Sequence, residues 1–433
     1  MKSPEKQVMA RSGPPIVVSA VRLEQGADEW TLSCKVDAGG LGVPERFFYT
    51  VQRPPVNGAE LSACPFVPPL VLLAAYNSRD LIIEAPVSQG LLDHLSGVLA
   101  LWHQSDRNAA LIDVTAVPVP LTRRASAAAS FFSGGVDSFY SVIATDSRYG
   151  SSDSRFIRFL IFCQGFDIPL DDLRREAHVR AQLERAAGDL GKELVPVRTN
   201  ARDFVRGVGW TRHGYGPCLG GVGLALSPII DTVYRPASYA YHQLPLGSNA
   251  AHPFFDALWS TETLDIVHSG ADATRAEKIA RLSQSSVALA HLRVCWQNVG
   301  QAYNCCRCEK CLRTMADLEL CGVLDGMEAF PLPLTPDVLR SVRIQPHLLG
   351  FWQEWLEHAR QANIDQALCD TVAELVSRER FEQSSAGRAM RMFVRRPLSG
   401  IGFTPSRLRE IDVALLHGRG LRTFQKMRQW LRS

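Results

Sequence analysis

Residues 123–325 predict an α/β fold, a doubly wound parallel sheet, with an α+β region over 1–122 and a helical region over 326–433. Three observations carry the prediction. From Ala125 onward, apolar strand-like runs alternate with helix-like spacing. The first of these runs passes through Gly134-Gly135 straight into a helical pattern. Late in the same region, Cys295, Cys305, Cys308 and Cys311 stand at metal-ligand spacing.

Ahead of this region the chain reads as short strands, Ile16–Leu23, Glu29–Val36 and Phe47–Gln52, with Val71–Ala75 and Leu81–Ala85 as two more. Turn formers separate them, at Gly39-Gly40, Pro54-Pro55 and Asn57-Gly58. Ser88–Gln104 has helical spacing through Leu91, Leu92, Leu95, Val98, Leu99 and Trp102. Leu111–Val117 closes the region as a strand, and Val117-Pro118-Val119-Pro120 followed by Arg123-Arg124 reads as a linker. These features predict that residues 1–122 form a separate domain. No site is legible in it.

The central region begins with Ala125–Phe132, small and apolar, which suits a buried parallel strand. Phe156–Cys163 and Glu193–Val197 predict the next strands, with a helix over Asp171–Leu190 closed by Gly191. Pro217–Ile230 reads as a buried helix, and Thr232–Tyr234 and Leu264–Val267 as later strands. Ligands in such sheets bind at the carboxyl ends of the strands. That rule places residues 163–167, 198–200 and 247–249 near the glycine turn. The Pro-rich run Phe330–Pro336 marks the next boundary. Beyond it, residues 378–433 hold thirteen Arg or Lys against four acids, a local net of +9. This is a solvated helix face or a surface for RNA or an acidic partner.

The glycine turn is the first chemical signal. Ser133, Gly134, Gly135, Val136, Asp137 and Ser138 lie between strand and helix. Glycines let the backbone approach a phosphate without a Cβ in the way, and N–H groups at a helix start point at the anion. The Ser133 and Ser138 hydroxyls add donors. Asp137, a carboxylate beside a phosphate site, makes sense if it meets magnesium or fixes the loop, and is expected at an exposed loop tip. No lysine stands where a Walker A loop requires one.

The cysteines are the second signal. Cys305, Cys308 and Cys311 form C-x-x-C-x-x-C, with Cys295 ten residues before the first. Four thiolates so spaced can wrap one tetrahedral zinc in a closed, structural site. Lys310, Arg307 and Arg313 would offset its charge. Cys306 is a fifth thiol, and spacing does not decide between it and Cys305. An iron–sulfur cluster and a metal-free redox cluster are the competing readings.

The whole chain sets limits. It has 433 residues, 46% apolar and 21% charged, with a net charge of +3, too small to imply nucleic acid by itself. No apolar run reaches a membrane span, and Met1–Gly13 lacks the apolar stretch of a secretory signal, so a cytoplasmic location is expected. Eleven cysteines in that compartment argue for metal or thiol chemistry over a disulfide scaffold.

The hexamer at 133–138 resembles the SGGxDS pyrophosphate loop of the PP-loop, or N-type, ATP pyrophosphatases, whose core is HUP-like. Together with the cysteines, it resembles the 7-cyano-7-deazaguanine synthases of queuosine biosynthesis (QueC-like). Their pattern is a first Cys, then C-G-x-C-x-x-C and a nearby Arg; here Cys295, Cys305, Cys308, Cys311 and Arg313 match, and Cys306 replaces the Gly. Thr274-Arg275-Ala276-Glu277 is similar to the family's T-K-A-E segment, with Arg275 where Lys is usual. The resemblance covers about residues 125–322. It implies ATP, Mg2+ and Zn2+ as cofactors, and 7-carboxy-7-deazaguanine as the carboxylate that ATP activates with loss of pyrophosphate, giving an amide or nitrile. By the same resemblance, Ser133, Gly134, Gly135, Val136, Asp137 and Ser138 bind pyrophosphate, Asp137 orients magnesium or the loop, and Arg275 neutralises developing charge. Some members of this family serve antiphage defence by modifying proteins, and the extra regions of this chain fit a protein acceptor. A tRNA-thiolating PP-loop enzyme and a nucleotide-responsive scaffold are the alternatives. No residue identifies itself as a general base.

Overall fold

The computed structural model describes residues 11–54, 61–244, 252–297, 302–362 and 364–384. They divide into two compact units, 1–334 and 335–433.

The first unit is built on one ten-stranded sheet of order β10-β9-β6-β7-β8-β3-β2-β1-β4-β5. The strands are β1 (Ile16–Gln25), β2 (Trp30–Asp37), β3 (Arg46–Val51), β4 (Leu81–Ser88), β5 (Val114–Val119), β6 (Ala128–Phe131), β7 (Ile157–Gln164), β8 (Glu193–Thr199), β9 (Thr232–Pro236) and β10 (Asp265–Ser269). Strands β10, β9, β6, β7 and β8 are mutually parallel, as are β1, β4 and β5. Only β2 and the β3–β8 joint are antiparallel. The helices are α1 (Val67–Tyr76), α2 (Gln89–Ser105), α3 (Val136–Arg148), α4 (Leu173–Asp189), α5 (Ala201–Phe204), α6 (Tyr215–Ala225), α7 (Pro253–Asp256), α8 (Arg275–Leu282), α9 (Ser286–His291) and α10 (Glu309–Leu320). Among the described residues, no helix is long and apolar enough to cross a membrane.

Residues 1–122 are not a separate domain. Tyr49, Thr50 and Val51 of β3 pair with Thr199, Arg198 and Val197 of β8, so the two halves share a sheet. Side chains reinforce the seam. Thr199 Oγ1 donates to the Phe48 carbonyl at 2.7 Å, and Asn200 donates to the Arg46 carbonyl at 2.8 Å while accepting from the Phe48 N–H at 3.1 Å. Residues 198–200 therefore stitch strands together. Beneath the seam, Phe47 stacks on Phe204 at 4.3 Å and meets Phe66 edge-on at 5.0 Å. A fully buried side chain of this kind contributes roughly 1.5–3 kcal/mol. Gly221 of α6 lies against the Tyr49 hydroxyl and the Pro65 carbonyl, where a Cβ has no room.

Val71–Ala75 is helical, contrary to the strand expected there. Pro68 and Pro69 pre-set the first turn of α1, where their missing N–H groups cost nothing. The helix is buried on nearly every side, so its apolar run carries no period to tell helix from strand. The other expected strands and helices appear within a few residues of their predicted ends.

The unit boundary falls at Leu334, beyond the expected 325. Asn304 donates to the Ala329 carbonyl at 2.9 Å and Phe330 is buried, so the Pro-rich run belongs to the first unit as far as Leu334, and Thr335 and Pro336 open the second. The second unit contains α11 (Pro336–Arg340), α12 (Leu349–Gln361) and α13 (Gln366–Gln383), with Trp352 and Trp355 of α12 buried. Arg378 and Arg380 lie on α13; the remaining basic residues of the tail, and residues 247–249, lie outside the described residues.

The shared sheet makes a direct prediction. A chain trimmed to 123–334 leaves the β8 edge unpaired and Phe204 uncovered, so it should be recovered aggregated, whereas residues 1–334 should stay monomeric in size-exclusion chromatography. A folded, monomeric 123–334 fragment would contradict the shared-core description.

Candidate functional site

The glycine turn sits at the carboxyl end of β6, near the middle of the parallel strands. Gly134 has φ +75, and a Cβ there would lie 2.9 Å from Leu183 and 3.3 Å from the Arg293 Cβ. The turn needs glycine for conformation and for space. Its carbonyl accepts from the Arg293 N–H at 2.7 Å, and Gly135 is the N-cap of α3. The first N–H groups of α3 therefore open towards the loop. Ser133 is exposed. Ser138 is buried and donates its hydroxyl to the Gly135 carbonyl at 2.9 Å, closing the loop from inside.

Asp137 is not at an exposed tip. The helix begins at Val136, which puts Asp137 in its first turn, facing α8, with its side chain 22% exposed. Burial pushes its carboxyl up, but Lys278, Arg275 and Lys310 outweigh burial and hold it below the usual carboxylate range.

The segment 274–278 supplies two of these cations. Thr274 Oγ1 accepts from the Glu277 N–H, and the Glu277 carboxylate accepts from the Thr274 N–H at 2.7 Å. This capping box fixes the start of α8 and puts Arg275 and Lys278, three residues apart, on one face. Lys278 is fully buried; its ammonium lies 3.3 Å from Asp137 Oδ1 and donates to the Ala237 carbonyl at 2.6 Å. Arg275 is buried, donates to Thr314 Oγ1 at 2.6 Å, and lies 3.3 Å from Asp317. Lys278, which the sequence reading passed over, is thus the direct partner of Asp137. Arg275 acts on it from further away. Its signal was present: the Thr274-x-x-Glu277 box predicts the helix that carries Lys278 one turn on.

Lys310 is the third cation. Burial draws it below the ordinary lysine range, partly offset by Asp137. It makes no ion pair among the described residues, whereas Arg313 is paired with Glu309 at 2.9 Å. Lys310 therefore serves the loop side of α10, and Arg307 is exposed. Asp167, just past the end of β7, is close enough to act on both Lys310 and Arg293. Of residues 163–167, Asp167 is the one that reaches the charges around the loop.

At the start of α10 the cysteines converge. The Sγ atoms of Cys295, Cys305, Cys308 and Cys311 all lie within 4.8 Å of one another. A tetrahedral zinc with bonds near 2.3 Å needs sulfurs about 3.8 Å apart, and Cys305 and Cys311 stand at 3.8 Å. Cys305 Sγ accepts from the Cys308 N–H at 3.3 Å, and Cys308 Sγ accepts from the Cys311 N–H at 3.4 Å. Hydrogen bonds from Cys295 help push the Cys308 thiol up to about 12 and the Cys311 thiol further. Thiols crowded in this way share protons until a cation displaces them. The four residues fit a metal ion such as zinc.

Cys306 is not among them. It adopts φ +53, the left-handed region, and its thiol turns to the Asn304 carbonyl. Asn304 is a positioning residue that sequence reasoning missed. It accepts from the Val294 and Cys295 N–H groups at 2.8 and 3.1 Å and donates to the Leu292 and Ala329 carbonyls. Those bonds bring Cys295 to the other three. Nothing in composition distinguishes this asparagine.

Comparisons with protein-family models, with curated proteins and with solved structures gave no match to this chain.

Elemental analysis of the purified chain should find about one equivalent of zinc. Cys308→Ser should lose it and aggregate, because metal binding at such sites contributes on the order of 10 kcal/mol to folding. Cys306→Ser should keep it. Full metal retention by Cys308→Ser, or loss by Cys306→Ser, would overturn the ligand set.

Proposed function

We propose that this chain is a PP-loop ATP pyrophosphatase resembling the 7-cyano-7-deazaguanine synthases, which joins a carboxylate to a nitrogen nucleophile through an acyl adenylate. The observation that supports it most is the collection of three buried or half-buried cations, Lys278, Arg275 and Lys310, around Asp137 beside a glycine turn at a helix start. A buried cation is costly without an anion to meet it. The loop amides and these cations together suit the two phosphates of pyrophosphate.

In this reading a carboxylate oxygen attacks the α-phosphorus of ATP, the bond to the bridging β-oxygen breaks, and pyrophosphate leaves. Mg2+ bound with the nucleotide supplies charge screening between the two anions. Gly134 and Gly135 let the chain come close, the α3 amides hold the leaving group, and Lys278 and Lys310 take up its growing charge. Asp137, held ionised by Lys278, orients the loop and the cation that accompanies ATP. The substrate is 7-carboxy-7-deazaguanine, and the nitrogen nucleophile belongs to a partner protein, for which the chain outside 125–322 offers surface. By the same resemblance the chemistry serves queuosine biosynthesis or antiphage defence.

The thiolation alternative needs a reactive, partly exposed thiol. Four cysteines instead converge on one centre, and burial pushes the Cys163 and Cys218 thiols up, away from thiolate.

Turnover should convert ATP to AMP and pyrophosphate, read by chromatography of the nucleotides. Asp137→Ala should slow it at least about a hundredfold. Because Asp137 packs on α8, that variant should also melt somewhat earlier, while still folding. ADP and phosphate as products would contradict the proposal.

A further inference from the structure

The carboxyl ends of β9 and β10 carry a second polar cluster, which the reading above does not use. Arg235 and His268 are register partners on these two strands, and Asp256 closes the group from the end of α7. Asp256 Oδ2 lies 2.6 Å from Arg235 Nε and 2.5 Å from His268 Nδ1. The three side chains are 2%, 1% and 4% exposed for Arg235, Asp256 and His268. Arg235 Nη2 also lies 3.1 Å from His268 Nδ1, but the shorter contact is to the Asp256 carboxylate, which can only accept; a proton on Nδ1 serves that contact and leaves the lone pair on Nε2. Among the described residues, His268 Nε2, Arg235 Nη1 and Asp256 Oδ1 have no hydrogen-bond partner. Three buried polar atoms without partners in one cluster call for a ligand or a reaction that uses them.

The cluster stands beside the phosphate loop. In the sheet, β9 directly flanks β6, which leads into Gly134-Gly135, and β10 lies on the other side of β9. Lys278, the partner of Asp137, donates to the carbonyl of Ala237, two residues beyond Arg235. Ser269, next to His268, accepts from the Ser141 hydroxyl of α3 at 2.8 Å. The Tyr215 ring lies 5.8 Å from the Arg235 guanidinium carbon, and its hydroxyl is close enough to feel both Asp256 and Asp137. One tyrosine therefore borders both clusters.

We propose that His268 is the proton acceptor for the nitrogen nucleophile, with Asp256 and Arg235 as its positioning residues. The inference rests on the acyl-adenylate reading. The amine nitrogen attacks the acyl carbon and a C–N bond forms. The bond from that carbon to the adenylate oxygen breaks, and AMP leaves with the electron pair. The nitrogen's proton passes to His268 Nε2, and Asp256 stabilises the imidazolium through Nδ1–H. The proton returns to solvent as product departs. Adenylation itself needs no such base, because the carboxylate is already ionised.

The two half-reactions separate the possibilities. The full-length chain is given ATP, labelled pyrophosphate and 7-carboxy-7-deazaguanine, and exchange of label into ATP reports adenylation. Ammonium chloride then serves as an acceptor that must lose a proton, and hydroxylamine as one that attacks without help from a base. His268→Gln should keep exchange within about threefold of wild type, lose about a hundredfold in amide formation from ammonia, and retain hydroxamate formation. His268→Asn, which keeps an N–H for Asp256, should behave alike and serves where the glutamine variant does not fold. Equal losses with ammonia, hydroxylamine and exchange, or no loss with ammonia, would overturn the role of His268 while leaving the adenylation reading in place. Absence of exchange in wild type would overturn that reading, and this inference with it.

Discussion

The site depends on one buried ammonium. Lys278 is shut away from solvent, yet it holds the Ala237 carbonyl with one hydrogen and faces Asp137 with another. Through it, the carboxyl end of β9, the helix α8 and the first turn of α3 meet at a single charge. Desolvating a lysine is expensive, and one carboxylate at 3.3 Å offsets that cost only in part. Burial draws Arg275 and Lys310 below their ordinary ranges, so the three cations gathered around Asp137 favour a further anion.

The cysteine centre acts on those cations through a short, continuous stretch of helix. Cys308 caps α10 and Cys311 lies in its first turn. Lys310 sits between them, and Thr314, one turn further, holds Arg275. Whatever fixes the four sulfurs therefore also fixes where two of the three cations stand. Asn304 anchors the arrangement from the other side by holding Cys295 through its backbone. A metal bound by all four sulfurs would leave no open position for chemistry, and its contribution would be to hold α10.

Much of this was legible in the sequence because the signals were local. Glycines between a strand and a helix, four cysteines at short spacing, and alternating apolar runs each specify a neighbourhood within a few residues. What escaped was set by distant contacts. The β3–β8 seam joins Thr50 to Arg198, and no pattern in either segment announces the other. Asp137 reads as an exposed tip until α8 is folded against it. Asn304 and Asp256 are ordinary polar residues in sequence, given their roles only by tertiary neighbours. The α1 helix misled for a different reason: an apolar run buried all round has no periodicity, and only its two prolines mark where it starts.

The central claim is that Lys278 and its companions form a pyrophosphate site, and binding of pyrophosphate itself tests it without assuming any acceptor. Magnesium pyrophosphate should be titrated calorimetrically into the wild-type chain and into Lys278→Met, with a thermal melt to show that both are folded. The account predicts saturable binding to the wild type and at least about tenfold weaker binding to a variant that still melts cooperatively, since a lost charge-assisted contact of about 1.5–3 kcal/mol corresponds to that factor or more. Equal affinities in two folded proteins would contradict it.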